Sequence, residues 1–350
     1  MKRSLRSSSP RRATVSDVAR LARVSVGTVS HVLTRSRFVR PKTVLKVERA
    51  IEQLRYRPNR VAQSLIRRRT HTIGMLLPNL INPSHVDLLH AVEETLEPEG
   101  YAVLFGNSQN SPNREACYLE AFRDRGVDGV ITAIAMDADA TELRRVAGEM
   151  PLVMVNRRVP GWDGDSVLCD VATGMRQAVD HLVGLGHRQV AFLNGDTRIQ
   201  TARFRQAAFE AAMRGHRFRP AAVTAGVFSV ESGCSQTLDL LGGGAQATAI
   251  CAANDVMALG ALEALKKLGI QVPEGLSVVG FNDILYARLA SPSLTTVHVP
   301  YGEMGTKAAR LMLERLVARE KPARQVMVMP QLIVRHSTAQ APGASRLARV

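Results

Sequence analysis

Residues 14–33 read TVSDVARLARVSVGTVSHVL. Thr14 offers a hydroxyl N-cap for a first helix over about Val15 to Leu21, and Ser25 offers another for a second helix over about Val26 to Leu33. A tight turn separates them. The pattern is helix, turn, helix, and the second helix has the form that lies in a DNA major groove. Pro41 suits the first turn of a third helix, on which Val44, Val47, Ile51 and Leu54 share one face. Val18, Ala19, Val29 and Val32 have that face to pack against.

The charge of the chain is concentrated around this motif. Residues 1–70 carry 19 Lys and Arg against 3 Asp and Glu, a net of +16, while the remaining 280 residues hold 27 against 28. A basic module on a near-neutral body is the electrostatic footprint of a nucleic-acid binder, because neutralising phosphates releases condensed counterions. The 350 residues suffice for two or three domains, and 45% hydrophobic with 22% charged residues is an ordinary globular composition. No apolar run is long enough to span a membrane, and the basic start MKRSLRSSSPRRA lacks the apolar core of a secretory signal. The expected location is therefore the cytoplasm, on the nucleoid. Cys117, Cys169, Cys234 and Cys251 are scattered without a CxxC pair, which reads as reduced, small apolar residues. No metal and no cofactor is expected.

Residues 1–12 read as a disordered basic tail, 13–57 as the helix-turn-helix domain and 58–71 as a linker. In that linker Pro58 ends one element and Asn59 caps a short helix carrying Ala62 and Leu65 on one side. From Thr72 onward short apolar runs recur at 73–77, 101–105, 127–134, 152–156, 189–193, 249–253 and 276–281, with amphipathic segments of helical length between them. Alternation of strand and helix implies parallel sheets covered on both faces, here in two lobes. Ligands of such sheets bind beyond the carboxyl ends of the strands. That rule gathers the segments 78–85, 107–113, 156–160, 194–205, 254–255 and 282–283 around one cleft.

Several ordered blocks carry a resemblance: DVARLARVSVGTVSHVL (17–33), YRPNRVAQSL (56–65), TIGMLLP (72–78), HLVGLGHRQVAF (181–192), AANDVMALGAL (252–262) and VPEGLSVVGFND (272–283) followed by SPSLTTV (291–297). The chain resembles the LacI/GalR family of bacterial transcription repressors along nearly its whole length after residue 13. The resemblance implies that Val26, Gly27 and His31 face base edges, with Thr28 and Ser30 close to phosphates and Thr14 and Ser25 completing the head's contacts. His31 has the donor for guanine N7 or O6, and Val26 suits a thymine methyl. Asn59, Arg60, Ser64 and Leu65 fall in a hinge that becomes helical on DNA, where Leu65 wedges into the central minor-groove step. Arg67, Arg68 and Arg69 supply backbone charge there. Three departures stand out: Arg23 at the turn, Arg40 in place of a hydroxyl cap, and Ile66 where a basic residue is common.

The remainder is similar to type I periplasmic sugar-binding proteins, with the chain crossing between lobes three times. This implies an effector-binding and dimerisation core over 72–338, its lobes at about 72–161 plus 293–323 and about 162–292 plus 324–338, then a flexible tail at 339–350. By the same resemblance, effector contacts fall on Ser84, His85, Arg157, Asp170, Thr201, Arg205, Phe228 and Asn282. An aromatic pair at Ser84–His85 is missing and Asn282 replaces an Asp, which disfavours a purine and weakens a case for a neutral hexose. Arg157, Arg158, Arg198 and Arg205 near the cleft favour an anionic effector such as a sugar acid or sugar phosphate.

The expected fold is thus an all-α helix-turn-helix head joined by a hinge helix to an α/β core of two doubly wound parallel-sheet lobes. The expected function is a dimeric repressor on a palindromic operator in double-stranded DNA, gated by a small-molecule effector. An activator or an effector-independent regulator of the same fold is the alternative. A solute-binding protein conflicts with the basic head. An enzyme is not expected, because GxSxG, GxxxxGK[ST] and HExxH are all absent from the sequence.

Overall fold

A computed structural model of the chain describes residues 13–34, 38–56, 69–78, 80–133 and 140–342. It divides into two compact units, residues 1–70 and 71–350. The hinge positions Asn59, Arg60, Ser64 and Leu65 lie outside the described residues, as do Ile66, Arg67 and Arg68.

The head has three helices: α1 (Val15–Ala22), α2 (Val26–Thr34) and α3 (Pro41–Gln53). Thr14 and Asp17 form a reciprocal cap on α1. The Asp17 N–H donates to Thr14 Oγ1 at 3.3 Å, and the Thr14 N–H donates to the Asp17 carboxylate at 3.0 Å. The Thr28 N–H donates to Ser25 Oγ at 3.1 Å, capping α2. Arg23 ends α1 in the left-handed region, at φ 54°, as the turn requires. A side chain costs about 1 kcal/mol there relative to glycine. Arg40 precedes α3 without a side-chain capping bond, and Pro41 takes the first turn. Val18, Ala19, Ala22, Val29, Val47 and Ala50 form the buried centre. Val44 is only half-buried, and Ala50, one turn-related step from Val47 on the same face of α3, stands in the centre instead.

The second unit holds two six-stranded sheets. The first comprises β1 (Thr72–Leu77), β2 (Ala102–Asn107), β3 (Gly129–Thr132), β4 (Leu152–Val155), β5 (Asp165–Cys169) and β11 (Gln325–Val328), ordered β11-β5-β4-β3-β1-β2 and parallel throughout. The second comprises β6 (Val190–Leu193), β7 (Ala222–Val223), β8 (Ala249–Ala252), β9 (Ser277–Asn282), β10 (Thr295–His298) and β12 (Gln331–Ile333), ordered β12-β10-β9-β8-β6-β7. Among the described residues, only β12 runs antiparallel, against β10. The central strands are buried on both faces, which is why they read as unbroken apolar runs.

Helices cover both faces: α4 (Pro83–Leu96), α5 (Pro112–Asp124), α6 (Ala140–Ala147) and α12 (Tyr301–Val317) in the first lobe, and α7 (Val171–Gly184), α8 (Gln200–Gly215), α9 (Val230–Gly242), α10 (Asp255–Lys267) and the short α11 (Leu285–Leu289) in the second. Five of them start from a side-chain cap in the segment after a strand: Asn82 on α4, Ser111 on α5, Asp170 on α7, Ser229 on α9 and Asn254 on α10. Helices α12 and α4 meet at Gly305, where a Cβ would come within 2.6 Å of the Leu88 carbonyl.

Two expectations need correction. The strands assign β5 and β11 to the first sheet and β10 to the second, so the chain crosses between lobes near residues 170, 299 and 329 rather than 162, 293 and 324. The reason is a buried anchor on β5: Asp165 accepts from Arg315 Nε at 2.8 Å and from the Arg324 N–H at 2.9 Å, tying β5 and β11 to the first lobe. The stretch 339–341 is also no loose tail. The Ala341 N–H donates to the Leu185 carbonyl at 2.8 Å, His187 Nε2 lies 3.0 Å from the Ala339 carbonyl, and Ala341 is buried.

Candidate functional site

The carboxyl ends of both sheets face a cleft of about 490 Å³. The first lobe contributes His85 at the start of α4, Gln109 and Asn110 after β2, and Asn156 and Arg157 after β4. The second contributes Thr201 and Arg205 on α8, Phe228 before α9, Asn254 after β8 and Asn282 at the end of β9. All six segments expected around a cleft take part in its walls or in the helix caps just behind them. Of the eight expected effector residues, His85, Arg157, Thr201, Arg205, Phe228 and Asn282 line this cleft. Asp170 lies in an adjoining chamber of about 260 Å³ that shares Arg157, Thr201 and Arg205, and its carboxylate accepts from the Thr173 N–H to cap α7. Ser84 lines neither chamber. It is buried in the first turn of α4, where its N–H donates to Asn82 Oδ1.

Arg205 is 3% exposed. Its Nη1 donates to the Ala253 carbonyl at 2.5 Å and its Nη2 to Asn282 Oδ1 at 2.8 Å, while the guanidinium lies 4.2 Å from the centre of the Phe281 ring. Arg157 is 8% exposed, and its Nη1 donates to the Asn156 carbonyl at 3.0 Å. The Nε of each arginine is buried without a partner, as is Thr201 Oγ1. Burial pulls Arg157 down to about 10, with the neighbouring charge of Arg205 adding to the effect, and burial likewise lowers Arg205. At about 10, Arg157 remains a cation at neutral pH, and a guanidinium such as that of Arg205 keeps its charge in proteins generally. Among the described residues, neither arginine forms an ion pair, although Glu115 attracts Arg157 and Asp255 attracts Arg205 from farther off.

The other two expected arginines are engaged differently. Arg198 forks onto Asp196, with Nη2 to Oδ2 at 2.6 Å, so its charge is balanced at the surface. The Arg158 side chain points outward, while its backbone is clasped across the lobes by Gln200: the Arg158 N–H donates to Gln200 Oε1 at 2.9 Å, and Gln200 Nε2 donates back to the Arg158 carbonyl. Tyr301 was not foreseen. Buried beside the second crossing, it accepts from Asn156 Nδ2 at 3.3 Å and donates to Asn282 Oδ1 at 3.4 Å, linking the two lobes through one hydroxyl. Burial holds its phenol above the usual range. Gln200 and Tyr301 carry no motif; only their closeness to Arg158 and Asn282 in space marks them. Asp255 sits beneath the cleft, accepting from the Ile284 N–H at 2.8 Å and from Thr296 Oγ1, and burial raises it to about 6.

In the head, Val26, Gly27 and Ser30 are exposed on α2, while Thr28 and His31 are half-buried. The hydroxyls of Thr14 and Ser25 are engaged in capping, so contacts from these two positions to an anion would run chiefly through the helix N-termini.

A three-helix head whose second helix presents its N-terminal residues outward, carried on a two-lobed α/β core with a polar cleft, defines a transcription regulator with a built-in ligand-binding module. Residues 14–59 match the model for bacterial regulatory proteins of the lacI family, and residues 179–338 match that for a periplasmic binding protein-like domain. The chain is 34% identical over 331 residues to the HTH-type transcriptional repressor PurR of Haemophilus influenzae (strain PittEE), covering 93% of this chain and 98% of that protein. Among solved structures it is similar to the lac repressor dimer bound to operator and the anti-inducer ONPF, with a TM-score of 0.88 at 29% identity, covering 94% of this chain and 100% of that one. It is also similar to a complex of the transcriptional regulator CelR with cellobiose, with a TM-score of 0.71 at 29% identity over 93% of this chain and 100% of that one. The chain belongs to the lacI family of bacterial regulatory proteins. No helix among the described residues is long and apolar enough to cross a membrane, and no His, Cys, Asp and Glu cluster there could hold a metal ion.

Proposed function

We propose that this chain is a dimeric repressor that binds a palindromic operator and whose operator affinity changes when a small polar metabolite, such as a sugar or sugar acid, occupies the cleft. The observation that carries this reading is the union on one chain of an outward-facing α2 and a cleft walled by both lobes. Val26, Gly27, Ser30 and His31 read base edges and phosphates, aided by Thr14, Ser25 and Thr28. Leu65 and its neighbours Asn59, Arg60 and Ser64 act as the minor-groove hinge. The concentration of +16 in residues 1–70 supports the backbone contacts. Two relatives support the rest: one structure is of a dimer on operator, the other holds a disaccharide.

Because residues of both lobes wall the cleft, a ligand touching both sets the angle between them. The linker of residues 58–71 leads into β1, so in this reading that angle sets the separation of two hinges in a dimer and couples the cleft to DNA. Coupling is reciprocal: an effector that weakens operator binding tenfold is itself bound tenfold more weakly on operator. Site, domain and partner assignments share one test. Bound sequences are selected from a random DNA pool by the full chain at about 0.15 M salt, the physiological range. Enrichment of a two-fold symmetric site with a flexible central step is expected. Recovery of asymmetric or unrelated sequences, with and without metabolites, would refute the dimeric-operator reading.

A further inference from the structure

We propose that the effector is a polyhydroxylated organic oxyanion, a carboxylate or a phosphate, gripped jointly by Arg157 and Arg205 where the two chambers of the cleft meet. This rests on reading the cleft as the effector site. Both guanidinium groups are more than nine-tenths buried, one from each lobe, and both border both chambers. Their partners are all neutral: the Asn156 and Ala253 carbonyls and the Asn282 amide oxygen. The Nε of each is left without an acceptor, and Thr201 Oγ1 beside them has no partner. Two buried like charges repel, and a buried cation without a counter-charge is costly unless something supplies one.

Among the described residues, the chain's own carboxylates nearby form no ion pair with either guanidinium; Glu115 attracts Arg157 and Asp255 attracts Arg205 only from beyond contact. Asp196 holds Arg198, Asp170 caps α7, and Asp255 accepts from Ile284 and Thr296 below the floor. Glu115 accepts from Ser108 at 3.3 Å, on the first lobe's own helix α5. The counter-charge therefore comes from outside. An oxyanion at the junction supplies a counter-charge to both guanidinium groups and bridges the lobes, so it acts on their angle as well as on charge. Asn156, Asn254, Asn282 and Tyr301 present amide and phenol groups suited to hydroxyls, and Phe228 closes one wall against Gly195. About 490 Å³ suits a monosaccharide-derived acid or phosphate.

The test uses the full chain, thermal unfolding and calorimetric titration with four probes: a hexonate, a hexose phosphate, the matching neutral hexose, and inorganic phosphate. Inorganic phosphate at millimolar concentration and at least one organic anion are expected to raise the melting temperature, and the neutral hexose is not. A hexonate response without a hexose-phosphate response assigns a carboxylate, and the converse a phosphate. Arg157→Gln should leave the chain folded and lower affinity for the responding anion at least about tenfold, the scale of one charge-assisted hydrogen bond. A neutral hexose that stabilises as well as its acid overturns the proposal, as does undiminished anion binding by Arg157→Gln or silence of all anions. Operator binding measured in parallel separates the two readings. An anion that binds yet leaves operator affinity unchanged defeats the gating reading alone, and a neutral hexose that shifts operator affinity defeats the oxyanion alone.

Discussion

Replacing Arg157 by methionine should make the unliganded core more stable, contrary to what truncating a buried, hydrogen-bonded residue usually does. Burial lowers Arg157 from the ordinary guanidinium value to about 10, and each tenfold change in proton affinity corresponds to about 1.4 kcal/mol between the charged and neutral forms. At pH 7 the folded state thus carries a penalty on the order of 3 kcal/mol for holding this charge. Methionine keeps a similar length and an apolar stem, and forfeits the bond to the Asn156 carbonyl, about 1 kcal/mol. The net expectation is a gain of about 2 kcal/mol. A cation whose folded pKa is depressed destabilises fully below that value, and the penalty is relieved as pH rises from about 10 toward the ordinary guanidinium value. The advantage of Arg157→Met should therefore shrink above pH 10. Urea unfolding of the full chain, followed on the core's transition at pH 7 and again near pH 10.5, measures both points. A loss of 1 kcal/mol or more at pH 7 would show that the protein itself compensates the guanidinium, and would refute the reasoning.

Other consequences concern the head, the hinge and the tail. Arg23 holds φ 54° at the turn, so Arg23→Gly should raise the thermal stability of the head by up to about 1 kcal/mol; a loss would mean that the side chain stabilises the turn. Leu65→Ala should lower affinity for operator far more than for random DNA, as read by anisotropy on both duplexes, and equal loss on both would discard the wedge. Ending the chain at Thr338 removes the Ala341 and Ala339 contacts to Leu185 and His187, and should lower the core's unfolding midpoint in urea; no change would return these residues to a loose tail. A fragment of residues 71–350 should fold and sediment as a dimer at micromolar concentration, and a monomer there would place the dimer contacts elsewhere.

What the sequence determined is what local physics fixes. The caps at Thr14 and Ser25 and the 3.6-residue spacing on α1 and α3 need only neighbours a few residues away, so the described helices of the head were legible, apart from Val44 yielding to Ala50, whereas the left-handed conformation of Arg23 is a finding of the structure. The central strands were legible because burial on both faces demands unbroken apolar runs. The strands DSVLC, TTVH, QVMV and QLI carry no such run, and their sheet is settled by partners far along the chain, such as Asp165 with Arg315 and Arg324. That is why the lobe crossings shifted.

The cleft divides the same way. Resemblance singled out most of its residues, and four arginines pointed to an anion. Only the tertiary structure decided which of them keep an unbalanced charge. Asp196 neutralises Arg198 in solvent, and Arg158 offers only its backbone to Gln200, whereas Arg157 and Arg205 are drawn out of water with neutral partners alone. A side chain's charge is written in the sequence; its solvation, and therefore the chemistry it can perform, comes from residues as distant as Tyr301, which the fold brings within hydrogen-bonding reach of Asn156.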